Sequence, residues 1–163
     1  MILKQIGVVK HKYNDDEVRK SINGVDAVIE IFPEYEEGLK GIDGFSHVIV
    51  VSYLDRVKDY VLTVKPRGLL KFGLRLEELP ELGVFSTDSP ARPNPVGISV
   101  VKLKKRVVRE LYVDGCDLFN NTPVIDIKPL TTDKIPENVR FPDWYERLLR
   151  LAKERSGIDL KKV

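Results

Sequence analysis

Apolar, β-branched residues in this chain come in short runs, and glycine or proline closes several of them. The runs are Leu3 to Lys10, Ala27 to Phe32, Phe45 to Tyr53, Val61 to Val64, Gly83 to Thr87, Val96 to Leu103, Val107 to Val113 and Val124 to Ile127. Each has the length of a strand and falls short of a core helix. Pro33, Pro66-Arg67-Gly68 and Pro129 stop three of them, and the basic Lys104-Lys105-Arg106 separates two others. Asn14-Asp15-Asp16 reads as a turn, and Glu34 to Leu39 as one helical turn before Gly41. Seven or eight short strands so punctuated predict a mainly β sandwich or barrel. Helical spacing is confined to the tail, Pro142 to Glu154. There Trp144, Leu148, Leu149 and Leu151 fall near one face, and Pro142 and Asp143 suit a first turn.

The 163 residues, 42% hydrophobic and 32% charged, suit a single domain with one core spanning 1–163. No apolar run approaches the ~20 residues that span a bilayer. The first residues show no leader pattern, so a cytoplasmic protein is expected. Cys116 is the one cysteine, and His11 and His47 are far apart. No intrachain disulfide can form, and a metal site is not expected. There is no G-x-G-x-x-G and no P-loop, so neither nucleotide fingerprint is supported.

The stretch GVFSTDSPARPNPVGISVVKL, Gly83 to Leu103, carries the most chemistry. Pro90, Pro93 and Pro95 fix three φ angles, and Gly97 frees one. Residues before each proline are pushed towards extended backbone. The result is a stiff loop presenting Ser86, Thr87, Asp88, Ser89, Arg92 and Asn94. Stiffness lowers the entropy cost of offering donors and acceptors to a ligand. A structural crossover with solvated polar groups is the plainer reading of the same residues.

This block resembles the signature of the TsaA-like (TrmO) family, close to G-V-F-A-T-R-[SA]-P-x-R-P-N-P-I-G. Gly83, Val84, Phe85, Thr87, Ser89, Pro90, Arg92, Pro93, Asn94, Pro95 and Gly97 agree with it. Gly41, Phe45, Ser46 and His47 match the family's G-x-x-x-F-S-H. Thr122 to Pro129, TPVIDIKP, matches T-P-V-[LV]-D-I-K-P, and Ile6-Gly7-Val8-Val9 resembles the family's opening. The resemblance implies a barrel-like β fold, a homodimer and S-adenosylmethionine near the subunit interface. It also implies methylation of threonylcarbamoyladenosine, the modified adenosine just 3′ of the anticodon in certain tRNAs.

Several positions depart from the pattern. Asp88 stands where the family has arginine, Asp55-Arg56 where it has histidine-glutamine, and Asn120-Asn121 where it has aspartate-glycine. The family's proline-arginine-glutamine segment is absent between Tyr13 and Ile29. Asp88 cannot make an arginine's contacts to a carboxylate, whereas Arg56 could supply the missing cation. Asn tolerates left-handed backbone, so the turn at Asn120-Asn121 can survive.

Methyl transfer from a sulfonium needs alignment and exclusion of water more than covalent help. Arg92 and Asn94 are expected to orient, with Asp117 and Asp126 as carboxylates able to take a proton. For Arg92 the plainer role is to pin the loop; for Asp126 it is a solvated carboxylate paired with Lys128. The expected cofactor residues are Asp55, Arg56, Thr87, Asp88, Arg92, Leu103, Asp117, Leu118, Phe119 and Asn120. Leu118 or Phe119 would flank an adenine ring, or be ordinary core. His47 and Cys116 read as packed residues. Lys65, Arg67, Lys71 and Arg75, and separately Lys102, Lys104, Lys105 and Arg106, are candidates for tRNA phosphates, or solvated basic turns. Tyr53, Phe72 and Phe85 are candidates for stacking a flipped base. Rival readings are a methyltransferase for another substrate, and a non-catalytic module that binds S-adenosylmethionine or RNA.

Overall fold

Val9, Ile29, Ile31, Val48, Val50, Val101, Leu111, Val113 and Val124 all point into one interior and are fully enclosed. They alternate along their strands with outward residues, as a half-buried sheet requires. In the computed structural model, which describes residues 2–160, six strands close around them. These are β1 (Gly7–Lys10), β2 (Val25–Ile31), β3 (His47–Tyr53), β6 (Val96–Val107), β7 (Glu110–Cys116) and β8 (Pro123–Pro129). The barrel order is β1-β2-β7-β6-β3-β8, every pairing antiparallel. Closure leaves these six strands without a free edge. Helix α1 (Asp15–Lys20) follows β1.

The barrel belongs to a compact unit made of the chain up to Val57 and Asn94–Lys134. A second compact unit comprises Lys58–Pro93 and the chain from Ile135 onward. It holds a two-stranded pair, β4 (Thr63–Val64) and β5 (Leu82–Gly83), three short 3₁₀ turns, and helix α2 (Asp143–Ser156). Its core is small: Phe72, Leu74, Leu79, Leu148 and Ala152, with Trp144 and Leu151 against it. α2 stops at Gly157, whose left-handed φ of 74° turns its N–H back to the Lys153 carbonyl.

The mainly β barrel with a C-terminal helix is as the sequence predicts, but four local features differ. The turn at Asn14-Asp15-Asp16 is the start of α1. Asn14 accepts from the Glu17 N–H while Glu17 accepts from the Asn14 N–H, a capping box that satisfies two exposed donors. Lys104-Lys105-Arg106 does not separate two strands. It continues β6 through a register shift, and the turn comes later, with Val108 at a left-handed φ of 54°. Gly83 to Thr87 is strand only to Gly83. Beyond it the chain turns, because the Thr87 N–H and hydroxyl both donate to the Val84 carbonyl. Gly97 is there for space rather than for φ: a Cβ would lie 2.6 Å from Ser52 Oγ.

Candidate functional site

The barrel unit gathers an arginine-centred cluster. Capping of α1 fixes Asp15 in its first turn and Arg19 in its last. The Arg56 guanidinium, just after β3, pairs with Asp15 and donates to the Asn120 carbonyl at 2.9 Å. It also lies 4.9 Å from the Phe119 ring centre, and Arg19 lies 4.9 Å from the same ring. Both are at cation–π distance. The loop carrying Phe119 is held from β1. His11 Nε2 meets the Leu118 carbonyl at 3.0 Å, the His11 N–H donates to Asn120 Oδ1 at 3.0 Å, and Lys10 donates to Asn121 Oδ1 at 2.8 Å. Asn121 adopts the left-handed φ of 69° that the aspartate-glycine replacement demands. His11 Nδ1 is enclosed with no hydrogen-bond partner.

At the start of this loop the Asp117 carboxylate accepts from Ser99, a buried hydroxyl on β6. Thus Arg56, Phe119 and Asn120 come together, with Asp117 two residues before Phe119. Asp55 is exposed in the turn that follows β3. Of the two residues expected to flank an adenine, Leu118 is buried core and Phe119 half-buried. Leu103 likewise packs inside the barrel. Asp126 lies outward on β8, 2.7 Å from Lys128 Nζ, and accepts from the Ile127 N–H. This is the paired strand carboxylate rather than a group aimed into the Arg56 cluster. Asn94 is exposed, with its carbonyl accepting from the Val96 N–H at 2.8 Å. Burial pushes the Cys116 thiol up to about 11, which leaves it a packing residue. His47 is half-buried and meets Ser46 Oγ at 3.0 Å.

The second unit carries the proline-rich loop itself. Arg92 Nη1 donates to the carbonyls of Thr87 at 3.0 Å and Ser89 at 3.2 Å. Its partners are carbonyls, not Asp88. Thr87 Oγ1 accepts from the Ser89 N–H, and Ser89 Oγ from the Ala91 N–H. Side chains therefore bond to the loop's own backbone at four places, and prolines hold the rest. Thr87 and Asp88 line a cavity of about 1090 Å³ together with Phe85, Phe141, Trp144 and Tyr145.

The basic candidates divide. Arg75 pairs with Glu77 and Glu78, Lys65 donates to the Leu76 carbonyl, and Arg106 donates to the carbonyls of Leu39 and Val108. Lys102, Lys104 and Lys105 remain exposed along β6, with Lys105 over the Tyr112 ring. Phe72 is core, so among the stacking candidates only Tyr53 and Phe85 present exposed rings.

Sequence reasoning passed over Asp15, Arg19, His11 and Ser99. The Asn14-x-x-Glu17 capping box was the available signal for α1 and so for Asp15 and Arg19. Nothing local marks His11, whose partner Leu118 is 107 residues away along the chain, or Ser99, whose partner Asp117 is 18 residues away.

A closed antiparallel barrel carrying an arginine–phenylalanine cluster, with a proline-stiffened loop in the second unit, defines a small β-barrel protein, distinct from Rossmann and P-loop architectures. The family model for the tRNA-methyltransferase O N-terminal domain matches residues 16–134. The chain belongs to that family. It is 40% identical over 172 residues to a probable S-adenosyl-L-methionine-binding protein of Archaeoglobus fulgidus, covering 95% of this chain and 43% of that protein. It is 36% identical over 125 residues to a tRNA (adenine(37)-N6)-methyltransferase of Rattus norvegicus, covering 75% of this chain and 27% of that protein. The chain thus spans less than half the length of both relatives. The crystal structure of TrmO from Pseudomonas aeruginosa shares the fold, with a TM-score of 0.63 at 23% identity over 86% of this chain and 60% of that one.

Proposed function

We propose that this chain is an S-adenosylmethionine-dependent methyltransferase of tRNA, acting on the exocyclic nitrogen of threonylcarbamoyladenosine beside the anticodon. The observation that carries the reading is the family match across residues 16–134, which contains the Arg56–Phe119–Asn120 cluster and the proline-rich loop. The donor set suits the cofactor. Guanidinium groups at Arg56 and Arg19 complement its carboxylate, and the Asp117 carboxylate can accept from a ribose hydroxyl or an ammonium. The bound cofactor supplies an electrophilic methyl group on a sulfonium. Asp15 orients Arg56, while His11 and Lys10 hold the 118–121 loop in place. Arg92 keeps the loop of Thr87, Asp88 and Ser89 in one shape, so little ordering entropy is lost when substrate meets it. Asp117 is the carboxylate best placed to take a proton, since Asp126 is engaged by Lys128.

A homodimer belongs to this reading. The outer face of β3 and β6 sets Ile49, Val51 and Tyr53 against Val100, Ile98 and Val96. Ile98 is 71% and Val100 51% exposed, an apolar stripe of the kind that subunits cover. A cytoplasmic setting goes with a tRNA substrate. Among the described residues no helix is long and apolar enough to cross a membrane.

The test is transfer of radiolabelled methyl from S-adenosylmethionine to tRNA carrying threonylcarbamoyladenosine, against tRNA with plain adenosine at that site. Label on the modified tRNA alone is the expected result. Cofactor binding without transfer to any tRNA would favour the non-catalytic module, the reading that fits the name of the archaeal relative.

A further inference from the structure

We propose that the cavity of the second unit receives an unstacked nucleobase of the RNA strand, with the neighbouring phosphate on Arg67. This rests on the RNA-substrate reading above and adds to it a site for a base.

Four rings line this cavity. Phe141 and Tyr145 lie 5.1 Å apart, and Trp144 meets Tyr145 edge-on at 5.4 Å. Phe85, on the 3₁₀ turn that opens the proline-rich loop, also lines the cavity, with 77% of its surface in water. A phenylalanine so exposed contributes little to folding, and its ring is free to stack. Planar walls select a planar guest. Base–aromatic stacking tolerates any base, because each presents a π-face.

The polar lining answers the rest of a nucleotide. Arg67 is exposed at the rim, and its guanidinium has no hydrogen bond or ion pair with the described residues, so it is available to a phosphate. The Asp88 carboxylate is likewise without a side-chain partner among them, and can accept from an exocyclic amino group of the base. An apolar peptide would satisfy neither charge. Asp88 thus acquires a role that the family's arginine could not fill, since an acceptor replaces a donor.

Trp144 is the chain's single tryptophan and lines this cavity, so the chain's tryptophan emission senses a guest there. The whole chain is titrated with a synthetic anticodon stem-loop RNA, and separately with a fully paired RNA duplex of equal length at the same salt. Binding is followed both by Trp144 emission and by gel mobility. The stem-loop should quench Trp144 and the duplex should not. Phe85→Ala removes an exposed ring and leaves the core intact. It should weaken stem-loop binding about tenfold and leave duplex binding unchanged. Arg67→Ala should weaken stem-loop binding as well. Stem-loop binding or methylation with unaltered Trp144 emission, and equal affinity in Phe85→Ala, would overturn the base site while leaving the methyltransferase reading intact. Absence of any RNA binding would overturn both.

Discussion

The two units reach order by different means. In the barrel, backbone pairing around a closed ring does most of the work, and a large apolar interior fixes which residues face inward. In the second unit a small core is supplemented by side chains that reach for backbone. Arg92 holds the carbonyls of Thr87 and Ser89, Arg155 holds the Gly73 carbonyl and Glu78, and Lys65 holds the Leu76 carbonyl. The difference teaches where substitutions act. Barrel positions fail through volume, whereas loop positions fail through loss of one donor.

The largest effect should come from emptying the barrel. Ile29→Ala removes a fully enclosed side chain and should cost about 3–4 kcal/mol in denaturant unfolding. A cost below about 1 kcal/mol would mean that the interior is looser than its packing indicates. Gly97→Ala tests volume from the other direction. The new Cβ meets Ser52 Oγ, and about 1–3 kcal/mol should be lost. Ser52 Oγ is itself enclosed without a partner, so Ser52→Ala alone should be nearly neutral or stabilising, and should recover part of the loss in the double variant.

In the second unit Arg92→Ala should cost about 1–2 kcal/mol, by leaving two half-buried carbonyls without their charged donor. Enhanced proteolysis within the 87–93 loop would report it. The Glu78 and Arg155 pair gives a pH signature. The Arg155 guanidinium holds the Glu78 carboxyl well below the ordinary carboxylate range. A depressed folded-state pKa contributes stability that is present above the unfolded value. That stability is lost as pH falls through the folded value. Unfolding midpoints of the wild type should therefore drop more steeply below about pH 4.5 than those of Arg155→Gln. Parallel pH profiles would show that the pair contributes nothing. The smallest effect belongs to Asp126→Asn, which removes an exposed ion pair and should change stability by less than about 0.5 kcal/mol. A large loss of methyl transfer in that variant would give Asp126 a catalytic role beyond its pairing with Lys128.

The same contrast explains what the sequence could reveal. Alternation and β-branched runs marked the barrel strands, because burial on one face leaves a period of two. The helical tail was equally legible, down to its first turn at Pro142 and Asp143. The end of β6 is not legible in the sequence because Lys104-Lys105-Arg106 is largely exposed strand, and composition cannot tell that from a turn. In the candidate site the resemblance drew attention to Arg56, Phe119 and Asn120, which the fold does bring together. It could not reveal that Asp15 and Arg19 join them, because both lie on the short helix α1, in the stretch after Tyr13 where the family's proline-arginine-glutamine segment is absent. Nor could it reveal that Leu103 and Leu118 pack into the core, since their burial is a property of the closed barrel.

Titration calorimetry of the full chain with S-adenosylmethionine, in the wild type and in Arg56→Ala, tests the central claim most directly. The wild type should bind. Arg56→Ala should lose affinity by about tenfold or more while its unfolding midpoint stays close to that of the wild type, because Arg56 is a surface side chain. Equal affinity in the two proteins, or no binding by the wild type, would contradict the assignment of the barrel's arginine cluster to the cofactor.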